Sequence, residues 1–187
     1  GAGTLTTGLR NSGFGDNALN ANVTGTDNVA VGNDALLLAT GSGSTVVGST
    51  AGNAITTAAN NTVVGFNALG ASVTGANNVA VGKDALALAT VSSNVAVGYL
   101  AGAAVTTGTP NTAVGYQALN ACQTGANNVA VGDDALLLAT GSGSTVVGST
   151  AGNALTTGAN NTVVGFNALG ACQTGASNVA VGKDALA

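Results

Sequence analysis

The chain has 187 residues with 30 Gly, 1 Pro and no His, Met or Trp, and only 5% of its residues are charged, where an ordinary globular domain has about 25%. That composition excludes a typical enzyme domain, and the high apolar content excludes a charged disordered tail. With no imidazole, three basic residues (Arg10, Lys83, Lys183) and a net charge of -4, neither histidine acid–base chemistry nor neutralisation of a nucleic-acid backbone is expected, and no apolar run is long enough for a transmembrane helix.

Along the chain, a Gly follows a short apolar triplet at Gly15 and again at Gly32, Gly48, Gly65, Gly82, Gly98, Gly115, Gly132, Gly148, Gly165 and Gly182. The spacings alternate between 17 and 16 residues and group into a 50-residue unit of three coils. Residues 32–70 and 132–170 differ only at Asn33/Asp133, Ile55/Leu155 and Ala58/Gly158. Residues 1–187 therefore read as one continuous repeat array, and both ends read as cuts through a longer one.

Each coil has the same grammar. Asn or Ser stands four residues before the Gly, and Val stands immediately before it except at Phe14. Ala stands three after it, Leu or Gly four after it, and a Thr follows eight or nine after it. A unit of 16 or 17 residues is too short for a helix pair. Runs such as Thr62-Val63-Val64 and Val129-Ala130-Val131 are β-branched and bounded by Asn and Gly, which predicts short strands. Ala35–Ala39 predicts a second extended stretch in each coil. Stacking such coils gives an all-β, parallel β-solenoid or β-roll of about eleven coils, spanning roughly 50 Å at ~4.8 Å per coil. The Gly column predicts corners that need positive φ or close backbone approach, and stacked Asn predicts a side-chain ladder.

A solenoid strand with one wet face should alternate apolar and polar residues. Here Val29 and Val31 point one way, Ala30 points the other, and both faces are apolar. The second face is therefore expected to meet another chain. The variable residue after the Gly marks the outside, and its aromatics Phe66, Tyr99, Tyr116 and Phe166 are candidate contact residues.

Asn-Thr-Ala-Val-Gly-Tyr-Gln-Ala-Leu at 111–119 and Gln-Thr-Gly-Ala-Asn-Asn-Val-Ala-Val-Gly at 123–132 resemble repeats of extracellular fibre proteins, including phage tail-fibre-like proteins. The Asn-Val-Ala-Val-Gly unit is also similar to the head repeats of trimeric autotransporter adhesins of the YadA type, whose repeat is shorter than these coils. The resemblance covers essentially the whole chain. It implies a left-handed, trimeric β-roll outside the cell, on a cell surface or on a virion, and it identifies no receptor-binding residue.

Candidate chemistry is sparse. Cys122 and Cys172 lie three coils apart, about 14 Å, which is too far for an intrachain disulfide. They share a column with Leu38, Ile55, Leu88, Val105, Leu138 and Leu155, and also with Asn22 and Ser72, and buried thiols acting as small apolar groups are expected. Asp34, Asp84, Asp134 and Asp184 recur every third coil and read as a solvated edge rather than a cation site. The sequons at Asn22, Asn60 and Asn160 fall out of the repeat grammar. Gly41-Ser42-Gly43-Ser44 lacks the Lys and helix of a phosphate loop, no nucleophile–base pair can be assembled, and no catalytic residue, metal or cofactor is expected.

The leading expectation is a self-associating, rigid extracellular shaft. An adhesin head that binds a host surface or matrix protein is the alternative, and an ice-binding solenoid using the Thr column is a lesser one. Gly52, Gly102 and Gly152 replace Leu in every third coil, which predicts a shallow lateral notch about every 14 Å.

Overall fold

In the computed structural model, residues 7–187 are described. Eleven strands form one sheet: β1 (Ser12–Phe14), β2 (Val29–Val31), β3 (Thr45–Val47), β4 (Thr62–Val64), β5 (Val79–Val81), β6 (Val95–Val97), β7 (Asn111–Val114), β8 (Asn128–Val131), β9 (Thr145–Val147), β10 (Thr162–Val164) and β11 (Val179–Val181). All neighbours are parallel and follow chain order from β1 to β11. The register is constant, with Val31 beside Val47, Val47 beside Val64 and Val64 beside Val81. The fold is an all-β parallel solenoid, with no helix among the described residues.

Period-two geometry divides each strand. The central residue, such as Ala30, Val46, Val63 or Ala96, is fully buried, and its two neighbours face outward. The Gly after the strand has φ between +122° and +143° in every coil, a conformation that L side chains rarely adopt. At Gly98 an added Cβ would also lie 2.2 Å from the carbonyl oxygen of Gly115. Close approach to the next coil therefore excludes a side chain independently of φ. The same holds at Gly32, Gly48, Gly65, Gly82, Gly115, Gly132, Gly148 and Gly165; at Gly182 only the φ requirement remains.

The second extended stretch is not a strand. In its place the chain turns, with left-handed φ at Asp34 (55°) and Leu36 (49°) and an Ala39 N–H donating to the Leu36 carbonyl at 3.2 Å. The physical reason lies in what must be buried. Ala35 and Leu36 are adjacent and both have no exposure, whereas adjacent strand residues point to opposite faces. Left-handed steps let consecutive side chains fill one narrow interior. These turns still bond along the axis: the Leu36 N–H donates to the Ala51 carbonyl at 3.2 Å and the Leu69 N–H to the Ala85 carbonyl at 2.9 Å.

The Asn column forms the predicted ladder inside the wall. Asn94 Oδ1 accepts the Asn111 N–H at 2.9 Å, and Asn111 Oδ1 accepts the Asn128 N–H at 3.0 Å. Meanwhile Asn111 Nδ2 donates to the Gly125 carbonyl at 2.8 Å. Each buried amide thus satisfies backbone groups that a purely apolar interior would leave orphaned. Ser44 and Ser144 keep the chain of bonds going through their hydroxyls, each accepting from the next Asn N–H at 3.2 Å.

Candidate interaction surface

The outward side of the sheet has two columns. The one nearest the Gly is Val from β2 to β11, and seven of its members range from 36% exposed at Val31 and Val47 to 67% at the terminal Val181. The other is a mixture of Val and Thr from β2 to β11. The Thr45, Thr62, Thr112, Thr145 and Thr162 side chains donate no hydrogen bond within the described residues, so methyl and hydroxyl groups stand free on one side of the sheet. All ten charged residues lie elsewhere. Arg10 and Asp27 sit on the corner before the strand, and Asp16, Lys83, Asp133 and Lys183 follow the Gly. Asp34, Asp84, Asp134 and Asp184 come one residue later.

Beside this face, three of the four candidate aromatics meet. Lys83 Nζ lies 5.7 Å from the Phe66 ring centroid and 5.3 Å from that of Tyr99, and Tyr99 stacks on Tyr116 at 5.3 Å. Phe66, Lys83, Tyr99 and Tyr116 therefore form one ladder across four coils, held by cation–π and ring contacts. Phe166 stands three coils further on, beside Lys183 rather than in the ladder.

The Asp column is a hydrogen-bonded edge. Asp34, Asp84 and Asp184 accept from Asn17, Asn67 and Asn167 of the preceding coil at 3.0, 2.8 and 2.9 Å. Partial burial opposes ionisation of Asp84, but hydrogen bonds from Lys83 and Asn67 outweigh it and hold its carboxyl below the usual range. At Asp134 the preceding coil offers Gln117, and Oδ1 is buried without a partner. Burial, reinforced by Asp133, pushes this carboxyl up.

Two sequence expectations about the turn side are corrected. Gly52, Gly102 and Gly152 form no lateral notch: all three are buried, and a Cβ on Gly52 would meet Ile55 Cδ1 at 2.9 Å. Where this position is Leu, the residue three further on is small (Ala39, Ser72, Ala89, Cys122); where it is Gly, that residue is large (Ile55, Val105, Leu155). The pair exchanges volume across one turn, so the missing Leu is replaced inside the core. Leu38, Leu88 and Leu138 also leave the inward column, because the short coils lack a residue after this turn rather than before it. Ala39, Ala89 and Ala139 take the interior site, and the three leucines project outward, half exposed. The telling signal was the Leu–Gly alternation itself, which reports interior volume and not surface relief.

Cys122 is buried as expected, and burial pushes its thiol up; Cys172 is half-buried and also free. Asn22 is fully buried with Oδ1 accepting the Gly25 N–H at 2.8 Å, so a glycan has no access there. The Thr column of the ice-binding expectation is staggered. Thr40, Thr90 and Thr140 belong to short coils and donate their hydroxyls to the Thr56, Thr106 and Thr156 carbonyls, while Thr57, Thr107 and Thr157 stand exposed one position further along.

No family model, curated protein or solved structure matches this chain. Among the described residues, no helix is long and apolar enough to cross a membrane.

Proposed function

We propose that this chain is a rigid shaft segment of an extracellular fibre, carried on a cell surface or a virion and working as a homo-oligomer. The observation that supports this reading is the unbroken axial bonding. One sheet in constant register and one buried Asn ladder run through the coils, and the turns add further coil-to-coil bonds. In such an array each coil is held only by its neighbours, so stiffness and length accumulate coil by coil. The protein's role is then to set a distance between a base and a tip. The adhesin alternative draws less support, because the Tyr99 and Tyr116 ring faces that would receive a ligand are turned on each other.

Electron microscopy of the purified chain tests the reading. Rods of roughly 50 Å are expected, lengthening by about 14 Å when one more 50-residue unit is inserted. Globular particles, or a length indifferent to the insertion, would overturn it.

A further inference from the structure

We infer that the outward face of the sheet is a homotypic seam, on which a second copy of this chain packs face to face, with the same axial polarity and each coil level with its own counterpart. The inference rests on the shaft reading for its polarity, since a spacer with a base and a tip requires copies that point the same way.

Four features of the face select a second copy as its occupant. The first is charge: none of the ten charged residues lies in the two outward columns, and Lys83 within the adjoining aromatic edge is already paired with Asp84, so apposition buries no unpaired ion. The second is stiffness. The columns are almost wholly Val and Thr, β-branched residues with restricted χ1, so little side-chain freedom is lost on contact. The third is area. The two columns plus the adjoining Phe66, Tyr99 and Tyr116 edge make a strip of about 50 Å by about 15 Å, on the order of 750 Å², close to the ~800 Å² per partner of a standard interface. The fourth is symmetry. A single self-complementary face closes a two-fold pair, whereas a three-membered ring must join two different faces. The turn side also exposes Val23, Leu38, Val73, Leu88 and Leu138, but these stand among Ala, Thr and Gln and lack the uniform β-branched filling of the sheet face, so the sheet face is the one that pairs and the geometry points to two copies where the sequence resemblance implies three.

With the two-fold axis along the solenoid, strands of the two copies run antiparallel across the seam, about 10 Å apart. The Val column of one copy then meets the Val/Thr column of the other at the same height. The corner after the Gly faces the corner before the strand, which brings Asp16 of one copy level with Arg10 of the other and Tyr116 level with Pro110. A slip of one coil would instead set Asp16 against Asp27, so the polar rims favour the level register. In this arrangement Thr45 and its equivalents turn their methyls to the seam.

Native mass spectrometry of the full chain across micromolar concentrations, with rods imaged in the same samples, provides the test. Wild type should show two copies. A lysine stripe, Val64→Lys with Val97→Lys and Val131→Lys, should weaken pairing at least tenfold while circular dichroism keeps its strand signal. The matching glutamate stripe should behave the same way alone, and mixing the two stripes should restore a mixed pair, which separates face contact from misfolding. Spin labels at Asn33→Cys, in a chain with Cys122 and Cys172 replaced by Ala, should give one distance below about 35 Å; antiparallel copies would exceed about 40 Å at ~4.8 Å per coil. Three copies, a lysine stripe that still pairs, or the long distance would each overturn the seam. So would a single-chain wild type, and thermal hysteresis in that sample would reassign the face to ordered water. Rods that persist as single chains would sink the seam alone; loss of rods throughout would sink the shaft reading as well.

Discussion

The strand side and the turn side of each coil solve the same stacking problem by opposite means. On the strand side the backbone is extended, the register never varies, and the side chains need only be β-branched or small. On the turn side the backbone carries left-handed residues, leucines included, at Leu19, Leu36, Leu69, Leu86, Leu119, Leu136 and Leu169. Leu gains nothing from that conformation, which costs roughly 1–2 kcal/mol in an L residue. It is tolerated because the interior is one side chain wide and must be filled from consecutive positions. Regular backbone thus comes where side chains are uniform, and strained backbone where they must interlock.

The comparison breaks most sharply at the Gly between the two sides. Gly98→Ala should cost on the order of 4 kcal/mol or abolish folding, since the new Cβ meets the Gly115 carbonyl and φ is +138°. Urea unfolding followed by circular dichroism measures it; a loss below about 1 kcal/mol would show that coils can part without cost.

On the strand side, Asn111→Ala should cost about 2–4 kcal/mol. It strips partners from the Asn128 N–H and the Gly125 carbonyl, both inside the wall. Hydrogen exchange should rise first at the Asn128 N–H and spread to neighbouring coils.

On the turn side, Gly52→Leu should cost about 1–3 kcal/mol by overpacking against Ile55. Ile55→Ala alone should also destabilise, by about 2–5 kcal/mol. The double variant should recover most of the loss, because it recreates the Leu36/Ala39 pairing; additive losses in a double-mutant cycle would end the volume-exchange account.

The smallest effect belongs to the rim. The folded-state carboxyl of Asp134 titrates above its unfolded value, so its protonated form is favoured by folding, and this contribution is present at acid pH and fades as pH rises through the raised value. Asp134→Asn should therefore stabilise the fold slightly near neutrality, by less than about 1 kcal/mol, and should not help at pH 3. Melting temperatures at the two pH values decide it.

What was legible in the sequence follows the same division. The strand positions, the Gly column and the Asn ladder could be read directly, because extended backbone imposes a period of two and a positive φ beside a crossing carbonyl admits only Gly. The turn side misled. Ala35–Ala39 carries no residue that announces a left-handed step, since Leu is an unfavoured occupant there, and the run passed for a strand. The place of the missing residue in short coils is equally hidden: the residue columns align Leu38 inward, whereas a turn bond puts Ala39 there. Gly52 looked like a hole in the surface because its partner, Ile55, differs from its counterparts Ala39 and Ser72 in a separate column.

The volume exchange between Gly52 and Ile55 takes place within a single coil, three residues apart. Each three-coil unit therefore brings its own filling, since the Leu of the preceding coil (Leu36, Leu86, Leu136) also packs over Gly52, Gly102 and Gly152. A gene built from such units can gain or lose whole repeats by unequal recombination without opening a defect at the joint. The length of the array becomes a quantity that selection can adjust in steps, with the chemistry of every step already tested in the units on either side.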